Sequence, residues 1–395
     1  MSMRWASTVE TDGSLTTAVE RAAEAVFHGL GRREPDLLTV FVSNAHAPHY
    51  LALPELVRRE FDNAFLFGCC ASGVIGGGRE VEDGPALAVT GAVLPGVHLK
   101  GMHLDPSEVP PMYTESRVWE DALHLTARQE PALLVLADPF SFEAETFLKG
   151  LDRAFPRAPK AGGLASGAAQ PGGSVLYLDD EVHRSGVITL ALTGNVEMST
   201  VVAQGCRPVG DPMFATLAHE NLIRELDGRC PRDAISELFE RSPPADRELF
   251  GQALFLGLAM RPGATEYLPG DFLVRNILGM DPESGALWIN ARVPENSVVQ
   301  FHLRDATTSA YDLERALAAH RLDQAGAEPA GALLFSCVGR GAGLYGQPDH
   351  DTNAFRRLVA DVPVGGFFCG GEIGPVQDQT CLHGYTSVFA VFREK

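Results

Sequence analysis

The chain has 395 residues, 45% of them hydrophobic, with a formal net charge of −19 and seven cysteines. That length can bury more than one core, and an acidic chain without a Lys/Arg run argues against nucleic acid, whose phosphates need concentrated positive charge. No stretch nears the ~18 uncharged apolar residues of a membrane span, Met1–Asp12 lacks a signal-like apolar core, and an odd cysteine count without a CxxC pair suits reduced thiols, so a cytoplasmic protein with no membrane partner is expected.

Trp5–Val9 reads as an opening strand. Ser14 is placed to cap a helix whose apolar side is Leu15, Ala18, Val19, Ala22, Val26 and Phe27. Then one pattern recurs three times: an apolar strand, a helix-like segment and a tight glycine turn. The first copy runs from Leu37–Ser43, through a short strand at Ala64–Phe67, to Gly68-Cys69-Cys70-Ala71-Ser72-Gly73. The second runs from Ala132–Ala137, through a helix beginning at Ser141, to Gly162-Gly163-Leu164-Ala165-Ser166-Gly167. The third runs from Ala332–Cys337 to Gly366-Phe367-Phe368-Cys369-Gly370-Gly371. Each is the size of one βαβ-type unit, and each is followed by another strand, at Ala86–Val93, Val187–Leu192 and Tyr385–Phe392.

Between the second and third copies, Gln204–Met213 holds two glycines and two prolines, the densest punctuation in mid-chain, and marks a boundary. Leu217–Leu226 and Arg232–Arg241 read as helices. Strands follow at Ala253–Met260, Asp271–Leu278, Ala286–Val293 and Val298–Leu303, with a hairpin turn at Asp281–Gly285. Asp305 is placed to cap a helix reaching about His320. The expectation is an α/β protein in which duplicated strand-helix-strand units form two related α/β domains with mixed sheets, 1–212 and 213–395.

The chemistry-bearing motifs are sparse. Gly341-Ala342-Gly343-Leu344-Tyr345-Gly346 fits G-x-G-x-x-G, but Gln347-Pro348-Asp349 separates it from the next helix, unlike a dinucleotide fingerprint. His46-Ala47-Pro48-His49 and Cys69-Cys70 lack the ligand number of a metal site. No G-x-S-x-G, H-E-x-x-H or P-loop occurs, so no catalytic residue is assigned, and Ser72 and Ser166 have no assignable base. Arg304 can hold a ligand carboxylate in a bidentate fork, or pair with an acid while Asp305 caps its helix. Cys369, Glu372 and His383 can form a polar cluster, either for ligand binding or, with Cys369 and His383, for thiol chemistry.

Several of these segments together resemble the FIST domain family. They are Phe67–Gly73, Glu225-Leu226-Asp227-Gly228, Phe301-His302-Leu303-Arg304-Asp305, Gly365–Gly374 and Leu382-His383-Gly384-Tyr385-Thr386-Ser387. The resemblance spans nearly the whole chain as FIST N-terminal and C-terminal halves. It implies a sensory module binding a small ligand such as an amino acid or other small carboxylate, read here as a stand-alone protein working with a separate signalling output protein. The expected ligand site lies at the glycine turns between the two halves. It comprises Ser72, Ser166, Arg304, Asp305, Phe367, Phe368, Cys369, Gly371, Glu372 and His383. Some members of the family are haem-binding nitric oxide sensors, so the resemblance leaves that function as an alternative, with His302, His383 and Cys369 as the axial candidates; no C-x-x-C-H attachment motif is present.

Overall fold

The computed structural model describes every residue except Met1, Pro262, Thr265, Leu268 and Pro269. Its first compact unit comprises 1–203, 313–382 and 386–395; the second comprises 204–312 and 383–385. This packing differs from a sequential cut at 212/213, because the chain leaves the first unit after one outer strand and returns to complete the same sheet.

Within the first unit, the strand-helix-strand pattern is built three times. The first copy is β1 (Arg4–Glu10), α1 (Leu15–Gly29), β2 (Leu37–Ser43), α2 (Leu53–Glu60), β3 (Phe65–Ala71), a hairpin of β4 (Val74–Gly76) and β5 (Arg79–Val81), then β6 (Leu87–Val93). The second is β7 (Val97–Leu104), α3 (Ser116–Ala122), β8 (Ala132–Ala137), α4 (Ala144–Ala154), β9 (Lys160–Leu164), the hairpin β10 (Leu176–Leu178) and β11 (Glu181–His183), then β12 (Val187–Gly194). The third opens with β13 (Glu197–Ala203).

The excursion follows: β14 (Arg207–Phe214), β15 (Leu217–His219), β16 (Leu222–Glu225), α5 (Pro231–Arg241), α6 (Pro244–Ala253), β17 (Leu254–Ala259), β18 (Phe272–Met280), β19 (Leu287–Ile289) and β20 (Val298–Leu303). These strands make one seven-stranded antiparallel sheet over a core that includes Ile223, Leu256, Leu287 and Phe301. The chain then passes through α7 (Ala306–Asp323) and completes the third copy. Its remaining elements are β21 (Gly331–Cys337), α8 (Ala342–Tyr345), α9 (His350–Leu358), β22 (Val364–Cys369), the hairpin β23 (Glu372–Val376) and β24 (Gln379–His383), and β25 (Ser387–Arg393).

The opening helix forms as its sequence predicts. Ser14 Oγ accepts from Thr17 N at 3.3 Å, and Leu15, Ala18, Val19, Ala22 and Val26 are buried against the sheet. In each copy two parallel strands, β2–β3, β8–β9 and β21–β22, lie beside an antiparallel partner, β6, β12 and β25. Each hairpin then leaves its own copy and pairs elsewhere: β4 with β22, β10 with β3, and β23 with β9. So every copy lends a hairpin to another copy and receives one, and the exchange closes after three steps. The mixed α/β architecture follows from this arrangement.

Three local expectations change. The glycine turns begin as strand: Gly68, Gly162 and Gly366 sit inside β3, β9 and β22. A Cβ on each would lie 1.8, 1.8 and 1.9 Å from the carbonyl oxygens of Val40, Val135 and Leu334 on the neighbouring parallel strand. Leu217–Leu226 forms the hairpin β15–β16, not a helix, because Glu220 turns the chain at φ 51°. The glycines and prolines of Gln204–Met213 lie largely within β14, where the pairing with β20 shifts register between Val209 and Met213 around Gly210, φ 71°.

Candidate ligand site

Because the hairpins interlock, the three glycine-bearing strand ends converge in the first unit. Ser166 N donates to Cys70 O at 3.4 Å and Phe368 N to Gly73 O at 3.0 Å. Leu164 N donates to Gly371 O at 2.8 Å and Gly370 N to Leu164 O at 3.0 Å. Backbone from all three copies therefore closes one ring, and Gly371 belongs to it through its carbonyl.

Two hydroxyls sit on this ring. Ser72 and Ser166 are half-buried, with their oxygens 3.3 Å apart. Ser166 Oγ accepts from Ser72 N at 2.9 Å and donates to Phe368 O. A serine hydroxyl has one proton. Since that of Ser166 goes to Phe368, Ser72 is the donor in the contact between the two hydroxyls, which leaves its lone pairs as acceptors.

The third copy supplies different groups. Phe367 and Phe368 are buried; Phe367 stacks on Phe41 at 4.7 Å between ring centroids. Cys369 is fully buried, and its Sγ lies 2.4 Å from where a Cβ on Gly163 would stand, so the missing side chain of Gly163 makes room for the thiol. Burial pushes the Cys369 thiol well above its ordinary pKa, and the nearby Glu372 charge pushes it further. Glu372 is buried too, with Oε2 accepting from Thr386 N at 3.0 Å. This is a neutral thiol beside an acid, the opposite of an activated nucleophile.

Next to this strand end lies a polar cluster that no sequence motif marks. Arg340 and Asp351 are buried and joined by two bonds, Nε to Oδ2 at 2.8 Å and Nη2 to Oδ1 at 3.2 Å. Ser387 Oγ donates to Asp351, Ser336 Oγ does so at 3.3 Å, and His350 Nδ1 lies 2.9 Å from Oδ1. Burial opposes both charges, but the attraction between them prevails, holding Asp351 below and Arg340 above its ordinary range. The Tyr345 ring stacks on His350 at 3.5 Å, so the glycine-rich loop at Gly341–Gly346 serves this cluster. The β4–β5 hairpin reaches it as well: Glu80 Oε1 accepts from Thr352 N at 2.7 Å, and Glu82 Oε1 from Ala342 N at 2.7 Å. The available signal was an arginine and an aspartate flanking that loop, which gains meaning only when β21 and α9 are side by side.

The remaining candidates belong to the second unit. Asp305 caps α7, its two oxygens accepting from Thr308 N at 2.8 Å and Thr308 Oγ1 at 2.9 Å, and it pairs with Arg207 at 3.2 Å. Arg304 is mostly buried with its guanidinium 4.9 Å from the Tyr385 ring centroid. Tyr385 has φ 66°, a left-handed backbone that a bulky residue seldom adopts, and its hydroxyl donates to Asn276. His383 is buried.

A haem ligand must present its nitrogen or sulfur to an open apolar slot. His302 is 3% exposed, with Nδ1 3.0 Å from Gln300 O; its Cε1 lies 2.5 Å from where a Cβ on Gly257 would be, and the ring meets Phe272 edge-on. Burial lowers its pKa to about 4. Cys369 is enclosed as described. Neither environment fits an axial haem ligand, and His302 is a packed core histidine.

The FIST N domain matches residues 36–229 and the FIST C domain residues 233–375. The chain belongs to the FIST family. An uncharacterized protein of Mycobacterium tuberculosis strain H37Rv is 35% identical to this FIST protein over 381 residues, covering 94% of this chain and 95% of that one. An uncharacterized protein of Mycobacterium bovis is 33% identical over 384 residues, covering 97% and 96%. Among solved structures, a cyanuric acid hydrolase from A. caulinodans aligns over 100% of this chain and 99% of that one, at 11% identity and a TM-score of 0.39. A second cyanuric acid hydrolase, described as an innovation by structural concatenation, aligns over 100% of both chains at 11% identity and a TM-score of 0.33. FIST domains are associated with small-ligand-binding sensory functions, and among the described residues no helix is long and apolar enough to cross a membrane.

Proposed function

We propose that this FIST protein is a sensor that binds a small amino-acid-like ligand at the ring of converging strand ends, with its signal read by a separate output protein. The observation that carries the reading is the Ser72–Ser166 pair. Ser166 is committed to Ser72 N and Phe368 O, which orients Ser72 so that its lone pairs accept from a ligand donor such as an ammonium or amide N–H. The glycines beside the serines, Gly73 and Gly167, let neighbouring chain pack against them, Phe368 and Val81 on one and Cys70 and Ala71 on the other, which holds the two hydroxyls in place. Binding is favoured over thiol catalysis because burial and the Glu372 charge keep Cys369 protonated.

A thermal-shift screen of amino acids, their amides and the matching desamino acids tests this. The expected result is stabilisation by one amine-bearing class, none by its desamino analogue, and a loss of about tenfold in affinity in Ser72→Ala, in line with one hydrogen bond to a charged group. Equal response of Ser72→Ala and the parent protein would remove the site from consideration.

A further inference from the structure

The first unit also carries an open cavity, at the opposite end of β9 from Ser166. It has a volume of about 340 Å³ and opens where β8, β9 and β13 begin. Its floor is apolar, formed by Ala132, Phe155, Val196 and Met198, all buried. A volume of this order accommodates a small organic molecule.

The wall is held in place from behind. The loop Phe155–Pro159 carries two prolines and is tied down by Lys160, whose buried ammonium donates to Phe155 O at 2.7 Å and Ala158 O at 2.9 Å and pairs with Asp152 at 3.0 Å. The ammonium is spent on the loop and does not serve a ligand.

The rim carries unbalanced charge. Glu130 lies 3.8 Å from Lys395, and Glu197 accepts from Arg393 at 2.5 Å, so both rim carboxylates already have cations. Arg128 and Arg157 also line the opening, and neither makes a hydrogen bond or ion pair among the described residues. On a chain of net charge −19, two uncommitted guanidinium groups beside an apolar hollow favour an anion with an apolar body.

We infer that this cavity binds a monocarboxylate with a medium-length hydrocarbon chain, the chain on the Phe155–Met198 floor and the carboxylate between Arg128 and Arg157. The site is independent of the serine ring and does not rest on the function proposed for it.

Equilibrium dialysis of the full chain with radiolabelled decanoate, with decanol as the uncharged comparison, tests the assignment. The expected outcome is saturable binding of one decanoate per chain, at least tenfold weaker binding of decanol, and at least tenfold weaker decanoate binding by the Arg128→Glu/Arg157→Glu variant. Both arginines are exposed, so that variant retains the parent's melting temperature, and Ser72→Ala binds decanoate as the parent does. Absence of saturable decanoate binding, equal affinity for decanol, or an unaffected double variant would each overturn the inference.

Discussion

The first two strand ends of the ring and the third share a backbone and differ in chemistry. All three place a glycine under the carbonyl of the parallel neighbour: Gly68 under Val40, Gly162 under Val135, Gly366 under Leu334. Four residues on, the first two carry Ser72 and Ser166, while the third has Gly370, preceded by Cys369 and followed by Gly371 and Glu372. Shared geometry belongs to assembling the ring, and divergent side chains belong to what each part of the ring does. The sharpest way to break that comparison is to attack the shared feature. Gly68→Ala, Gly162→Ala and Gly366→Ala each put a methyl less than 2 Å from a backbone oxygen that no rotamer can move. Each is expected to destabilise the first unit by about 3 kcal/mol, the upper end of the cost of overpacking, visible in thermal or denaturant unfolding. A well-tolerated alanine at only one position would show that the three copies are not held by the same constraint.

The next largest effect separates the third copy from the others. Among the described residues, only there does the strand end adjoin a buried ion pair, Arg340 with Asp351, supported by Ser336, Ser387 and His350. Removing one partner leaves the other charge buried alone. Asp351→Ala is expected to lose about 3–5 kcal/mol, whereas Arg340→Met with Asp351→Leu together recovers much of that loss. The positions equivalent to Cys337 and Thr386 in the first copy, Ser43 and Ala86, are joined by neutral bonds alone, Ser43 N to Ala86 O at 2.9 Å and Ala86 N to Ser43 Oγ at 2.8 Å. Ser43→Ala should therefore cost about 1–2 kcal/mol, and a loss matching Asp351→Ala would contradict the distinction.

An effect that is smaller per pH unit but accumulates across the window is tied to pH. Glu80 is buried beside Asp351 and Asp349, and burial first, then the Asp351 charge, raises its pKa from 4.5 to about 8, against the Thr352 hydrogen bonds. A carboxyl with a raised folded-state pKa binds its proton more tightly in the native state. Its contribution to stability is complete below about pH 4.5 and is lost as pH rises toward 8. The parent should lose up to about 1.4 kcal/mol per pH unit across that window relative to Glu80→Gln, which keeps an oxygen for Thr352 N. Parallel stability curves for the two proteins from pH 5 to 8 would mean that the hairpin carries its acid ionised.

Much of this organisation was legible from local pattern, because strand and helix periodicity depends on neighbours along the chain. The three strand-glycine repeats, the Ser14 cap and the Asp305 cap were all readable from short windows of residues. What was not readable depends on pairing between distant segments. Gly68 looked like a turn because its strand partner Val40 lies 28 positions away, and the exchanged hairpins Val74–Val81 and Leu176–His183 have strands too short for periodicity to register. Leu217–Leu226 carries apolar residues at helical spacing, yet its central Glu220 turns the chain into a hairpin. The Ser72–Ser166 contact joins residues 94 apart, and Arg340 with Asp351 had no motif to announce it.

The smallest effect concerns reactivity and not stability, and it probes the feature by which the third strand end differs most, its thiol. Five of the seven cysteines, Cys69, Cys70, Cys337, Cys369 and Cys381, are buried, and Cys206 and Cys230 are half-buried. Thiolate is the reactive form, and burial beside Glu372 disfavours it at Cys369. An aromatic disulfide reagent at pH 8 should therefore titrate at most two thiols in the native protein and all seven once it is unfolded. Substituting Cys206 and Cys230 by serine should abolish the native reaction. If one rapid equivalent persists in that double variant and disappears with Cys369→Ser, then the third strand end presents an accessible thiolate. The proposed division between a serine pair that binds ligand and a structural cysteine would have to be reversed.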